Sequence, residues 1–369
     1  MKRVSKQLKK AVKFKNVKSI YKRPLRFCKL ASTAITLLVA LLVVCAPVSA
    51  CSTNSNDSNT NIQRGVEVLE ANDIMRSENT SQNQQQGTNT QNPQQQETTQ
   101  DNQDAINNAK THVEQLCSQA EFSTSVAVVG LSSENANVAF NVFGDVSYTS
   151  ASMIKLAVLG TFFQLIDTGA YSLDGTYTLL ASDIVGGTGN LQTKGAGAVL
   201  TYKEITYAMI ADSDNVAANI LINAVGMQTV NNYAAKIGLQ GTQLNRLMMD
   251  SAATAQGIEN HMSANDAAKI LSLIYTKQLA SESLCEFAMQ ALEGQTVTGG
   301  IAAGLPSTVT FAHKTGTLTN DEHDGGIVES QKPYIIVVFC EGTSSSFSEA
   351  AAHSFMKSVS EVIYGCMEG

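Results

Sequence analysis

Ser152 and Lys155 stand three residues apart in the run Thr149-Ser150-Ala151-Ser152-Met153-Ile154-Lys155-Leu156. On a helix that spacing puts a hydroxyl and an amine on one face, one turn apart. Lys155 is the only charge in a stretch that is otherwise apolar on every side as far as Phe163, the pattern of a helix buried all round, with Thr149 or Ser150 placed to cap it. In apolar surroundings a lysine loses the solvation of its charged form and can serve as a base. A serine in the first helical turn lies where free backbone N–H groups point outward. The pair outlines an activated nucleophile. Composition alone yields about two Ser-x-x-Lys matches in a chain like this one, so the pair needs company.

Two further stretches supply it. Ser213-Asp214-Asn215 interrupts a helical pattern between Met209 and Leu221 and reads as a helix connection whose polar groups reach a cleft. Taken alone it is a cap for a helix at 216–224. Lys314-Thr315-Gly316-Thr317 lies on a strand, where a glycine marks close approach of another backbone or a ligand. Taken alone, Lys314 is an edge-strand charge.

The elements that must position these groups follow from periodicity. Ile106, Ala109, Val113, Leu116 and Ala120 fall on one helical face, and 125–131 and 138–143 read as paired strands. Helical periodicity dominates 173–292. Strands are expected at 308–318, 326–329 and 334–339, and a closing helix at 346–362. The fold class is therefore α/β of the α+β kind: an antiparallel sheet from N- and C-terminal segments flanked by helices, plus an inserted all-helical lobe, with the active site between them.

Length and composition divide the 369 residues. Residues 1–50 hold twelve of the twenty-five basic residues and no acidic one, which leaves thirteen basic against thirty-two acidic residues in the remainder. An acidic body argues against nucleic acid as a partner. The basic tip leads into an apolar run at 31–44, short for a membrane span, and then into Val48-Ser49-Ala50-Cys51: a signal peptide over 1–50 with a long basic n-region. Val48 to Cys51 resembles a lipobox, which would lipidate Cys51 and anchor the chain as an extracytoplasmic lipoprotein on a bacterial cell membrane; the alternative is simple secretion. Between 77 and 103, twenty-two of twenty-seven residues are Ser, Thr, Asn or Gln, so 51–104 is expected to be a disordered linker reaching roughly 40 Å, apart from a brief helix at 65–72. The folded domain is expected over 105–369, as a monomer. Cys117, Cys285, Cys340 and Cys366 have no metal-type spacing; outside the cell disulfides are an alternative that spacing does not settle, and buried free thiols are the expectation, with no metal and no cofactor.

Ser-x-x-Lys, Ser-Asp-Asn and Lys-Thr-Gly, in that order, resemble the motif set of class A β-lactamases and penicillin-binding proteins. The likeness runs from about Ala105 to the C-terminus and includes Gly187-Thr188-Gly189-Asn190-Leu191-Gln192, Gly304-Leu305-Pro306 and Asp324-Gly325-Gly326-Ile327-Val328. The resemblance implies that Ser152 attacks a lactam or peptide carbonyl with Lys155 as its base, while Ser213 relays a proton to the leaving nitrogen. It implies that the N–H groups of Ser152 and Thr317 hold the oxyanion. Asn215 would hold Lys155 and the substrate amide, and Lys314, with Thr315, Gly316 and Thr317, would receive a β-lactam or cell-wall peptide.

The chain also departs from that family. Residues 246–260 lack the Glu-x-x-Leu-Asn that positions a deacylating water, leaving Asp250 and Glu259 as the carboxylates that could substitute or could simply anchor the loop. Arg246 is the last arginine, so none stands beside Lys314 to fork a carboxylate. His313 and His323 are near the site only by sequence, and structural or solvent-exposed roles are expected for them. Three readings follow: a β-lactamase, a penicillin-binding D,D-peptidase or acyltransferase, and a non-catalytic surface lipoprotein. The intact set of Ser152, Lys155, Ser213 and Lys314 argues against the third, since a binder gains nothing from a desolvated lysine.

Overall fold

The computed structural model describes residues 93–136, 138–342 and 347–368. The signal segment, Cys51, the expected helix at 65–72 and the linker up to residue 92 lie outside the described residues.

Helix α1 (Pro93–Gln119) leads into strands β1 (Ser123–Gly130), β2 (Ala139–Val142) and β3 (Ser147–Thr149), then α2 (Lys155–Asp167). The inserted lobe holds β4 (Thr176–Thr178), β5 (Val199–Thr201), α3 (Tyr202–Ala211), α4 (Asn215–Val225), α5 (Met227–Lys236), the single turn α6 (Ser251–Thr254), β6 (His261–Ser263), α7 (Ala264–Tyr275) and α8 (Glu282–Glu293). Strands β7 (Thr310–Thr317), β8 (Asp321–Glu329) and β9 (Tyr334–Glu341) and helix α9 (Glu349–Glu368) close the chain. Proline at the first position of α1 costs no hydrogen bond, which lets that helix start ahead of the expected boundary at 105.

The main sheet has the order β2-β1-β9-β8-β7, antiparallel throughout, so N- and C-terminal segments share it as expected. Strand β9 is buried on both faces. Ile336 and Val338 pack with Ile106 and Val113 of α1 and Phe355, Val359 and Ile363 of α9. Their alternates Ile335, Val337 and Phe339 pack toward α2 and α7. The period of two thus assigns each side chain to one of two cores.

Two expectations need correction. The lobe is not wholly helical: β4 pairs with β5 and β3 with β6 as small two-stranded sheets, too short for alternation to register. Strand β8 begins at Asp321 rather than 326. Its first four residues are acids and a histidine, which hide a strand from any apolar pattern, yet all four are buried. Cys117, Cys285 and Cys340 are buried free thiols and Cys366 is a half-buried one.

Candidate active site

Ser152 is placed by backbone rather than by a helix cap. Ser152 sits in a 3-10 turn at Ala151–Ile154 that runs into α2, and neither Thr149 nor Ser150 caps it; the Ser150 hydroxyl instead donates to the Ala151 carbonyl at 3.3 Å. The chain ahead of the turn is clamped at three points. The N–H of Thr149 donates to Glu341 of β9 at 3.2 Å, its carbonyl accepts from His323 Nε2 of β8 at 2.7 Å, and the N–H of Ser150 donates to the Asn260 carbonyl at 2.8 Å. Burial holds His323 down to about 4, so it is the neutral ring. Its Nε2–H then serves Thr149 while Nδ1 accepts from the Cys340 N–H at 3.3 Å. His313, also buried, pairs with Asp324 at 2.7 Å. Both histidines are structural, as expected.

Around Ser152 the three motifs converge. Lys155 Nζ lies 3.0 Å from Ser152 Oγ, 2.6 Å from the Ser213 carbonyl, 3.2 Å from Ser213 Oγ and 2.9 Å from Asn215 Oδ1. Lys314 Nζ donates to Ser213 Oγ at 2.9 Å and to the Thr315 carbonyl at 2.6 Å. Both lysines are fully buried. Burial first, then the charge of Lys314, holds Lys155 well below the ordinary lysine range against the pull of Asp214. Burial takes Lys314 down to about 7, opposed by Asp324. The arrangement is a continuous hydrogen-bonded path from Ser152 through Lys155 and Ser213 to Lys314, able to accept a proton at one end and deliver it near the middle.

The surrounding backbone is arranged to keep this geometry. Asp214 caps α4 through the Ala217 N–H at 2.9 Å and takes the Leu191 N–H at 2.8 Å with its second oxygen, so the cap is also a clasp on the preceding loop. Gly189, at φ +97°, is required there, because a Cβ would meet the Asp214 carboxylate at 2.1 Å. Thr188 donates to the Ser213 carbonyl at 2.6 Å. At Gly316 a Cβ would press on Met153, Ala151 and the Ser150 carbonyl at 3.1 to 3.2 Å, so glycine brings β7 against the serine turn. Ala151, Ser213 and Met249 are non-glycine residues at positive φ (46°, 51° and 63°), and all three line the cleft. Such strain persists where surrounding contacts over-determine the backbone.

The cleft has a volume of about 1000 Å³ and is lined by Ser152, Ser213, Asn215, Thr315 and Thr317 among others. Of the two loop carboxylates, Asp250 does not line it; its Oδ1 caps α6 by accepting from Ala253 N–H at 3.0 Å. Glu259 does line it, but its Oε2 is held by Arg246 Nη2 at 2.6 Å and Nε at 2.9 Å. Both anchor the loop. Among the described residues no cluster of His, Cys, Asp or Glu is placed to hold a metal ion. Sequence reasoning missed Glu341 and His323 as clamps, the Asp214 clasp, and Asp321, which also lines the cleft. The Thr188-Gly189-Asn190 stretch was the one sequence signal that the loop beside Ser213 is fixed.

Helices on both faces of an antiparallel sheet, an inserted lobe and a serine bonded to a buried lysine define a serine hydrolase. The model describing the beta-lactamase enzyme family matches residues 108–367, and the chain belongs to that family. Among curated proteins, the beta-lactamase AER-1 of Aeromonas hydrophila is 25% identical over 203 residues, 54% of this chain and 67% of that protein. A PBP-A variant solved as an acyl-enzyme complex with penicillin G superposes with a TM-score of 0.65 at 25% identity, over 71% of this chain and 97% of that one. The TLA-1 extended-spectrum beta-lactamase matches with a TM-score of 0.66 at 20% identity, over 72% of this chain and all (100%) of that one.

Proposed function

We propose that the chain opens the amide of β-lactams through an acyl-enzyme on Ser152. The carrying observation is the 3.0 Å contact between Ser152 Oγ and the amine of a fully buried Lys155. Lys155 takes the hydroxyl proton as Oγ bonds to the carbonyl carbon. The oxyanion lies against the N–H groups of Ser152 and Thr317, donors of a kind worth about 3 kcal/mol each. As the carbon–nitrogen bond breaks, Ser213 passes the proton to the leaving nitrogen from the lysine side. Asn215 orients Lys155 and the substrate amide, and Lys314 with the Thr315 and Thr317 hydroxyls holds the substrate carboxylate. Gly316 lets that strand edge approach. Water then cleaves the ester, releasing the acid and restoring Ser152.

The loop favours a second reading for the last step. With Asp250 capping α6 and Glu259 held by Arg246, neither carboxylate is free to activate water, which supports a long-lived acyl-enzyme and the behaviour of a penicillin-binding peptidase or acyltransferase. A chromogenic cephalosporin separates the two on the purified full chain. Sustained turnover that Ser152→Ala abolishes supports a β-lactamase; a stoichiometric burst that stalls supports the second reading; no label on Ser152 sinks both.

The proposal includes an extracytoplasmic, membrane-anchored location through lipid on Cys51, supported by the small residues before it. Metabolic labelling with a palmitate analogue, lost in Cys51→Ala, is the expected result; equal labelling of the variant refutes it.

A further inference from the structure

The cleft continues past Ser152 and Ala151, along Thr317 and Leu318, to Asp321 at the start of β8. Asp321 is 7% exposed, and among the described residues its carboxylate has no hydrogen-bond or ion-pair partner. The neighbouring acids are already engaged: Glu341 accepts from the Thr149 N–H, and Glu259 is held by Arg246. A mostly buried carboxylate that faces a cleft with no partner in the described chain is placed to take a cationic group entering that cleft. Burial, then Glu341 and Glu259, push Asp321 up to about 7. No cation of the described chain reaches it.

We propose that Asp321 is a subsite for a protonated amine on the acyl side chain of the substrate. The inference rests on the acyl-enzyme reading above and deepens it. Lys314 sits within β7 and Asp321 lies just beyond the end of that strand, across the turn into β8. A substrate laid along β7, the edge strand of the sheet, would place its carboxylate at the lysine and its side-chain ammonium at the aspartate. The preferred substrate is therefore dipolar, anionic on the leaving-group side of the scissile amide and cationic on the acyl side. A bound ammonium supplies the missing partner and draws Asp321 back toward the ionised form.

Two penicillins that differ only in the end of the side chain, n-hexanoyl and ω-aminohexanoyl, provide the test on the full chain at about pH 8, where an alkylammonium remains charged. The readout is the ratio of their second-order rates of acylation at Ser152. The native chain is expected to prefer the amine by about tenfold, the worth of one charge-assisted hydrogen bond. In Asp321→Asn the ratio is expected to collapse toward one, whatever the absolute rates. A native ratio near one overturns the subsite without need of the variant, and so does a preference that survives Asp321→Asn. Equal labelling by both compounds defeats only this inference, whereas failure of both to label Ser152 defeats the acyl-enzyme reading beneath it.

Discussion

The two walls of the cleft treat charge in opposite ways. Around Ser213, two lysines are buried with hydroxyl, carbonyl and amide oxygens as their hydrogen-bond partners and no carboxylate in direct contact. On the loop of residues 246–260, both carboxylates are tied to structural donors, one to a helix start and one to Arg246. Buried amines bonded only to neutral oxygens can exchange protons; carboxylates tied to fixed donors hold shape. The difference teaches that the groups the proposed acylation step needs are held together, while both loop carboxylates are spent on keeping the loop in place.

The largest effect should come from breaking the cation side at its end point. Ser152→Ala is expected to lower acylation by at least about a thousandfold, measured as covalent penicillin label by mass spectrometry. Lys155→Met should follow at about 10²- to 10⁴-fold in the acylation rate with little change in stability, because it removes the base and a desolvated amine together. A loss confined to substrate binding would show that Lys155 is not the base.

The pH profile sharpens the same side. Lys155 must be neutral to accept a proton, so acidification lowers kcat/KM. Lys314 must be charged to hold a carboxylate, and with its value brought down to about 7, kcat/KM should fall again as pH rises through that region. The two limbs belong to the coupled pair, joined through the Ser213 hydroxyl. Lys314→Arg, which stays charged, should move the alkaline limb upward; an unmoved limb would assign it elsewhere.

On the anion side the effects are smaller and fall on stability. Arg246→Ala leaves Glu259 without its partner and should cost on the order of 2 kcal/mol, read from chemical denaturation. Asp250→Ala removes a cap and should cost about 1 kcal/mol. Asp321 works in the reverse sense. Its folded value near 7 exceeds the ordinary 3.8, so the folded chain binds that proton more tightly and native stability falls as pH rises through that window. Asp321→Asn has no proton to lose and should be more stable than the native chain above pH 7 by on the order of 1 kcal/mol, seen as a higher Tm. Equal Tm values would show that the carboxylate carries no burial cost.

Much of this was legible in the sequence. Ser152, Lys155, Ser213 and Lys314 stood out through motif order, and β1 and β9 through their short apolar runs. What stayed hidden shares one cause: polar residues buried by partners far along the chain. The start of β8 reads as a polar loop until Glu322, His323 and Asp324 are seen bonded to Thr317 and His353, to Thr149 and to His313. Asp321 and Glu341 carry no local pattern at all. Short strands such as β4 and β5 are invisible because three residues hold no period.

The clamp on Thr149 also sets an order of assembly. Two of the three contacts that fix the chain ahead of Ser152 come from β8 and β9, and β1 finds its central partner only in β9, with Thr124 opposite Cys340. During synthesis α2 and the whole inserted lobe emerge before either clamp exists, and such distant pairings form slowly. Until its last strands arrive, the nascent chain lacks two of the three contacts that hold the backbone ahead of Ser152.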